Sequence, residues 1–296
     1  MRVRYLFSVL LLSVSFFVMV VPGSSLATPS PLELQFGINS TDSPQVIAQK
    51  ILPVLQVIEE GLEGRLQQPV KIHFKVFRTY HESIEAFVQG EIDFGRLGPS
   101  SYVLAKRKNP AIRLLAMENR KGKKSFQGLI VVRKERAMKG LSDLKGKRFA
   151  FGNKVSTIGR YLSQRELAKV GICAAHLAEH DYLQRHDNVF TAVASGRFDA
   201  GALKESTFYK RNKNNSPLKI LHSFPNVTKP WLARAGLDEV VFNGLQSVIL
   251  GLKAQVAFKK LKIEGFFPAS QEDYLPIREA MLQVDRFESC QLEPIR

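Results

Sequence analysis

The chain predicts an α/β protein of two lobes that close on a ligand cleft, and three observations carry that expectation. Strand and helix patterns alternate from Leu32 onwards. The alternation comes in two series joined by extended segments. Short polar turns stand between several strand ends and the helices that follow, which is where α/β folds gather ligands.

The first series opens with an apolar strand over Leu32–Ile38. Pro44–Leu62 then places Val46, Ile47, Ile51, Val54, Leu55, Ile58 and Leu62 at helical spacing. Val70–Phe77 alternates as a strand, Glu82–Gln89 reads as a short helix, and Ile92–Leu97 as the next strand. A helix over Ser100–Lys108 stops before Pro110. This β-α-β-α-β-α run predicts a mainly parallel sheet. Ile112–Met117 and Phe126–Val132 follow as strands around a basic turn, Asn119–Lys124. The second series has a strand over Arg148–Gly152, a helix over Thr157–Val170 and a strand near His176–Glu179. A helix over Asn188–Ser195 and a strand over Phe198–Leu203 complete it. Lys210–Ser216 reads as a charged loop, Leu218–Phe224 leads back out, and the final third reads as mostly helical. The expected division is a signal peptide over 1–27, a first lobe of 28–122 plus 226–296, and a second lobe of 123–225.

The N-terminus sets the compartment. Arg2 and Arg4 precede an apolar run from Leu6 to Val21, and Ser25-Leu26-Ala27 supplies the small residues of a cleavage site. No cysteine follows the run to take a lipid, and nothing after residue 27 is long and apolar enough to span a bilayer. The chain has 296 residues and a formal charge of +16. In an exported protein such a balance argues against nucleic acid and for an anionic ligand or acidic surface. An oxidising compartment permits Cys173 and Cys290 to pair, but two distant cysteines make no framework, and their spacing does not decide it.

Several constellations point at the cleft. Phe149-Ala-Phe-Gly-Asn-Lys-Val-Ser-Thr-Ile-Gly-Arg160 runs from strand through loop to helix. It puts Ser156 and Thr157 where free amides and hydroxyls can hold a phosphate-like anion. Arg96-Leu-Gly-Pro-Ser-Ser-Tyr102 repeats the arrangement, with Ser100 and Ser101 opening a helix. His186, at a turn beside Asp187, can donate to an anion. Glu205, after a strand, can accept from a protonated oxygen or an amine, and Tyr80 can wall the cleft. Each has an ordinary alternative: a helix cap, a surface histidine, a solvated carboxylate, a rim aromatic. Catalytic patterns are thin, with no Gly-rich phosphate loop, no Gly-x-Ser-x-Gly elbow and no cysteine pair at metal spacing. His176 and His180, four apart in an expected strand, would lie about 13 Å apart, too far to share a metal. No metal and no cofactor is expected.

These residues resemble the periplasmic phosphate-, phosphite- and phosphonate-binding proteins of ABC transporters, the PhnD-like group. The resemblance covers about residues 33–290. It rests on Phe36-Gly-Ile, Tyr80, Asp93-Phe-Gly-Arg-Leu-Gly-Pro-Ser-Ser-Tyr102 and Leu141-Ser-Asp-Leu-Lys-Gly-Lys147. Ser156-Thr157-x-Gly159, His186-Asp187 and Ser195-Gly-Arg-Phe-Asp-Ala200 complete it. It implies a type 2 periplasmic binding fold, with a hinge, and a protein that binds without catalysis. Ser156 and Thr157 would hold the oxyanion from one lobe, with His186 as a further donor. Ser100 and Ser101 would hold it from the other, Tyr80 would line the pocket, and Glu205 matches the family's acidic position. Two departures stand out. Leu97 replaces an aromatic, and Lys229 stands near a place where the family often has Asp or Asn. The second, a carboxylate lost and a lysine gained, points away from an aminoalkyl phosphonate and towards a small or wholly anionic ligand. The expected partners are that ligand and an ABC permease, the protein being a monomer. A sensory module signalling to a membrane kinase or cyclase is the alternative, and an exported phosphate-ester enzyme or a basic surface adhesin are more distant ones.

Overall fold

A computed structural model of the chain describes residues 30–40, 42–212, 217–253 and 256–291. The expected signal segment lies outside them. Two mixed sheets organise the chain. The first runs in the order β11-β4-β10-β3-β1-β2, with β1 at Leu32–Asn39, β2 at Val70–Phe77, β3 at Phe94–Arg96, β4 at Arg113–Glu118, β10 at Pro230–Ala233 and β11 at Phe266–Phe267. The second runs β7-β6-β8-β5-β9, with β5 at Ser125–Arg133, β6 at Arg148–Phe151, β7 at Glu179–Tyr182, β8 at Ala200–Lys204 and β9 at Leu218–Val227. Among the described residues, no helix is long and apolar enough to cross a membrane.

Helix α1 (Pro44–Leu66) shows how the pattern becomes packing. Ser43 caps it by accepting from the Val46 amide, and Pro44 occupies the first turn, where a missing N–H costs nothing. Its stripe of Ile47, Ile51, Val54, Leu55, Ile58 and Leu62 is buried with Val241, Phe242, Leu245 and Ile249 of α7 (Glu239–Gly251). Helices α2 (Tyr80–Val88) and α3 (Pro99–Lys108) belong to a second cluster, which runs on into the other lobe through Tyr102, Tyr274, Ile158 and Tyr161. On the second sheet, α5 (His186–Ala194) and α6 (Glu205–Arg211) bury Val189, Phe190, Val193 and Phe208. The opposite side carries π-helical turns over Thr157–Leu162, continued by α4 (Ser163–Lys169).

Some expectations shift. Only β1, β2 and β3 pair in parallel in the first sheet, because β10 inserts antiparallel to both β3 and β4. The final third, expected to be mostly helical, supplies β10 and β11. Pro230-Trp-Leu-Ala233 is buried at every position, so it has no alternation to read. The strand expected at His176–Glu179 starts at Glu179, and His176 closes a 3-10 turn. Lys210 and Arg211 complete α6 rather than open a loop.

The chain passes between sheets after β4 and again after β9. The Glu118 amide bonds the Lys229 carbonyl and the Thr228 amide bonds the Lys124 carbonyl, so the crossings run side by side. A third connection is C-terminal. Helix α8 (Leu275–Leu282) contacts both α3 and the turns over 157–162, and α9 (Val284–Ser289) packs on α4. Cys290, just past α9, forms a disulfide with Cys173. The bridge closes a separation of 117 residues, and a loop of this size removes about 4–5 kcal/mol of unfolded-chain entropy. Replacing both cysteines with serine is expected to lower unfolding stability by about 3–5 kcal/mol, read from chemical denaturation of the oxidised protein and the double variant.

Candidate functional site

A cavity of about 620 Å³ opens between the two sheets at their strand ends. Four strand-to-helix junctions build it. Beyond β3, Gly98 and Pro99 start α3 and place Arg96 at the wall. Beyond β6, Ser156 and Thr157 start the helical turns. Beyond β7, His186 is the first residue of α5, and beyond β8, Lys204 passes straight into α6. Tyr80 enters from α2, whose first turn is fixed by a reciprocal cap: the Glu82 amide donates to Thr79 Oγ1 and the Thr79 amide to Glu82.

Close backbone approach shapes the Ser156–Thr157 end. The Gly152 amide donates to the Gly159 carbonyl at 2.7 Å. A Cβ on Gly159 would lie 2.8 Å from the Gly152 Cα, so strand and helix can meet only as glycines. Ser156 Oγ accepts from the Gly159 amide and therefore serves as the cap. The amides of Thr157 and Ile158 find no acceptor among the described residues.

Tyr80, Ser156, Thr157 and His186 line the cavity. Ser100 and Ser101 do not, and neither does Glu205. Ser100 instead latches the lobes together. Its amide donates to Thr157 Oγ1 at 3.0 Å, the Thr157 hydroxyl donates to Ser100 Oγ at 2.9 Å, and the Ser100 hydroxyl donates to the Val155 carbonyl at 2.6 Å. Ser101 is fully buried, with no partner for its hydroxyl among the described residues. Glu205 acts on the site only through its charge, which favours the ammonium of Lys204. Burial raises the Tyr80 phenol's pKa, and the nearby Ser156 hydroxyl offsets part of that shift.

His186 differs in charge from its expected role. Burial pushes it down to about 4, and the Lys204 charge adds to the effect. The Ala202 backbone works against the shift without reversing it, and Nδ1 is buried without a partner among the described residues. The neutral ring thus presents a lone pair, suited to a protonated ligand oxygen. His180 pairs with Glu288 at 3.8 Å. Among the described residues there is no cluster of three or more His, Cys, Asp or Glu able to hold a metal.

The dominant feature of the cavity is a group of cations that the sequence motifs do not single out as ligand contacts. Arg96, Arg120, Lys204 and Lys229 all line it. Arg96 and Arg120 both pair with Glu118, which is completely buried. Burial alone would raise the Glu118 carboxyl, but the two guanidinium groups outweigh it and hold it down to about 2. No carboxylate pairs with Lys204 or Lys229 among the described residues. Burial, then the nearby arginines, lowers Lys204 to about 7 and Lys229 well below its usual value. The Phe126 ring forms part of the wall, with the Arg120 guanidinium 5.0 Å and the Lys204 ammonium 4.9 Å from its centroid. The signal for these residues was present as a basic residue closing a strand at Arg96 and Lys204, and as basic residues at both crossings, Arg120 and Lys229. Charge alone does not distinguish them from surface lysines.

The residues from 36 to 274 match the family model for the periplasmic substrate-binding protein of phosphonate ABC transporters. The chain is 29% identical over 235 residues to a protein of Prochlorococcus marinus described as a probable ABC transporter phosphite binding protein, PhnD1, covering 72% of this chain and 78% of that one. The structure of PhnD1 in complex with methylphosphonate superposes with a TM-score of 0.70 at 27% identity, over 86% of this chain and 99% of that one. A binding protein component of an ABC phosphonate transporter from Pseudomonas aeruginosa shares the fold, with a TM-score of 0.69 at 19% identity over 87% and 88% of the two chains.

The lysines make the ligand-free cleft pH-dependent. Lys204 titrates near 7 folded and near 10.5 unfolded, so between these values the unfolded chain holds more protons and stability rises with pH. Lys204→Met is expected to flatten that slope and raise the ligand-free Tm at pH 7 by about 2–4 °C, the shift that ~1 kcal/mol gives a chain of this size. His186 adds a second window. Its folded value near 4 lies below its unfolded value near 6.5, so stability falls as pH drops from 6.5 to 4. His186→Gln should lessen that loss, measured as Tm against pH.

Proposed function

Because the chain belongs to the periplasmic substrate-binding proteins of phosphonate ABC transporters, we propose that its cleft captures a wholly anionic phosphorus oxyanion, such as phosphite, phosphate or a simple phosphonate, and delivers it to a permease. The protein is a periplasmic transport component and not an enzyme. Export through cleavage after Ala27 and action as a monomer are part of the same reading. A sensory role has no observation in its favour.

The observation that carries the ligand class is the pair Lys204 and Lys229, both lining the cavity beside Arg96 and Arg120, with no carboxylate paired to either among the described residues. Burying uncompensated ammonium groups is costly, and an anion between them removes the cost. The same lysines disfavour a ligand amine, so an aminoalkyl phosphonate is a poor fit. The binding of methylphosphonate by PhnD1, at 27% identity, is consistent with a small anionic phosphonate.

Each group has a role in this mechanism. The Thr157 and Ile158 amides hold the head group from one lobe, while the Thr157 hydroxyl is engaged with Ser100. Tyr80 and Arg96 approach from the other, Lys204 and Lys229 neutralise it, and His186 accepts from a protonated oxygen. Ser100 contributes to closure rather than to the ligand. Charge-assisted hydrogen bonds of ~1.5–3 kcal/mol each support micromolar affinity, ~8 kcal/mol, after the losses of ordering. Calorimetric titration with phosphite, phosphate, methylphosphonate, 2-aminoethylphosphonate and sulfate tests the reading. Binding of a phosphorus oxyanion is expected, weakened about tenfold or more by the Ser156→Ala, Thr157→Ala double variant, which removes ~1.4 kcal/mol or more of it. Tight binding of 2-aminoethylphosphonate alone would overturn the proposal.

A further inference from the structure

We infer that the mouth of the cleft forms a second anion subsite, built from Lys210, Lys260 and Lys262, and that the protein prefers phosphonates carrying a distal carboxylate or phosphate. This rests on the reading of the cleft floor as the head-group site, and it names the tail that the floor leaves undetermined.

Volume is the first argument. At about 30 Å³ per water, 620 Å³ holds the equivalent of about twenty water-sized groups. A PO₃ group with one carbon fills only a small part of that. The lining also includes Lys210, Lys260 and Lys262, which are exposed and so belong to the outer part.

The composition of that outer part is the second. Ten lysines and arginines line the cavity against two aspartates, Asp42 and Asp187. Both acids are already engaged: Asp42 accepts from Lys50 at 2.6 Å, and Asp187 pairs with Arg185 at 2.9 Å and Arg211 at 3.5 Å. Lys210, Lys260 and Lys262 have no acidic partner among the described residues. A dianionic head group leaves part of the floor's own positive charge uncancelled, since four cations there face one carboxylate. A ligand amine would meet like charge along the whole path. A neutral tail would leave Lys210, Lys260 and Lys262, exposed residues of the cavity lining, without a counter-charge. A second anion is the tail chemistry that the mouth complements.

Placement is the third argument. Lys210 belongs to α6 of the second sheet's lobe, whereas Lys260 and Lys262 precede β11 of the first sheet. An anion at the mouth is therefore held from both lobes. It favours the closed form in addition to whatever the head group contributes, because the contacts exist together only when the lobes are near.

The test is calorimetric, with matched probes at one ionic strength: 3-phosphonopropionate, propylphosphonate and 3-aminopropylphosphonate. The carboxylate probe is expected to bind about tenfold or more tightly than the propyl probe, a difference of one charge-assisted contact. The aminopropyl probe should be the weakest of the three. In the triple variant Lys210→Ala, Lys260→Ala, Lys262→Ala, the ratio between the carboxylate and propyl probes should collapse to within about threefold, while circular dichroism reports an unchanged fold. Equal affinities in the unaltered protein, or a ratio that survives the triple variant, would overturn the subsite and leave the head-group site standing. Failure of every phosphonate to bind the folded protein would overturn both.

Discussion

Glu118 ends β4 at the point where the chain leaves the first sheet, and it is completely buried between the guanidinium groups of Arg96 and Arg120. Three cleft-forming segments meet there. Arg96 closes β3, Arg120 begins the first crossing, and the Glu118 amide bonds the carbonyl of Lys229 in the second. The carboxylate keeps two arginines from repelling each other and fixes their forks in one direction. Removing it would leave buried, uncompensated charge, a change of ~3–5 kcal/mol in other buried pairs. The cationic floor exists in this form because one acid is set beneath it.

Around that floor the hydroxyl groups divide their work. Ser156 is used in capping, and Ser100 and Thr157 are used largely on each other. A serine at a helix start therefore has three possible employments here, as a cap, as a ligand donor or as a clasp between lobes. Only the neighbouring lobe decides which it takes.

Much of the architecture was legible in the sequence because local physics and global fold agree. The α1 stripe, the Thr157 helix start and the doubled strand-helix series all appear as periodicity or punctuation. What escaped was non-local. β10 shows no alternation because Trp231 and its neighbours are buried on both faces. The role of Lys204 depends on β8 running into α6 without a loop, and that of Arg120 on which side of the crossing faces inward. Tyr80, Ser156, Thr157 and His186 fell around one cavity because strand ends converge in this topology, whereas Ser101 and Glu205 share the motif but face elsewhere. The pairing of Cys173 with Cys290 could not be read from spacing, because it depends on a C-terminal helix returning to the second lobe.

That return has a mechanical meaning. Two parallel crossings define an axis about which one lobe can turn, like a door on its hinges. The stretch from Tyr274 through α9 is attached on both sides of this axis. Tyr274 packs edge-on against Tyr102 and donates to the Thr228 carbonyl, while Cys290 is bonded to the far lobe. It is a strap across the hinge line, and a strap limits travel. The lobes of this cleft are tied by two short helices and a covalent anchor, and not by the hinge strands alone.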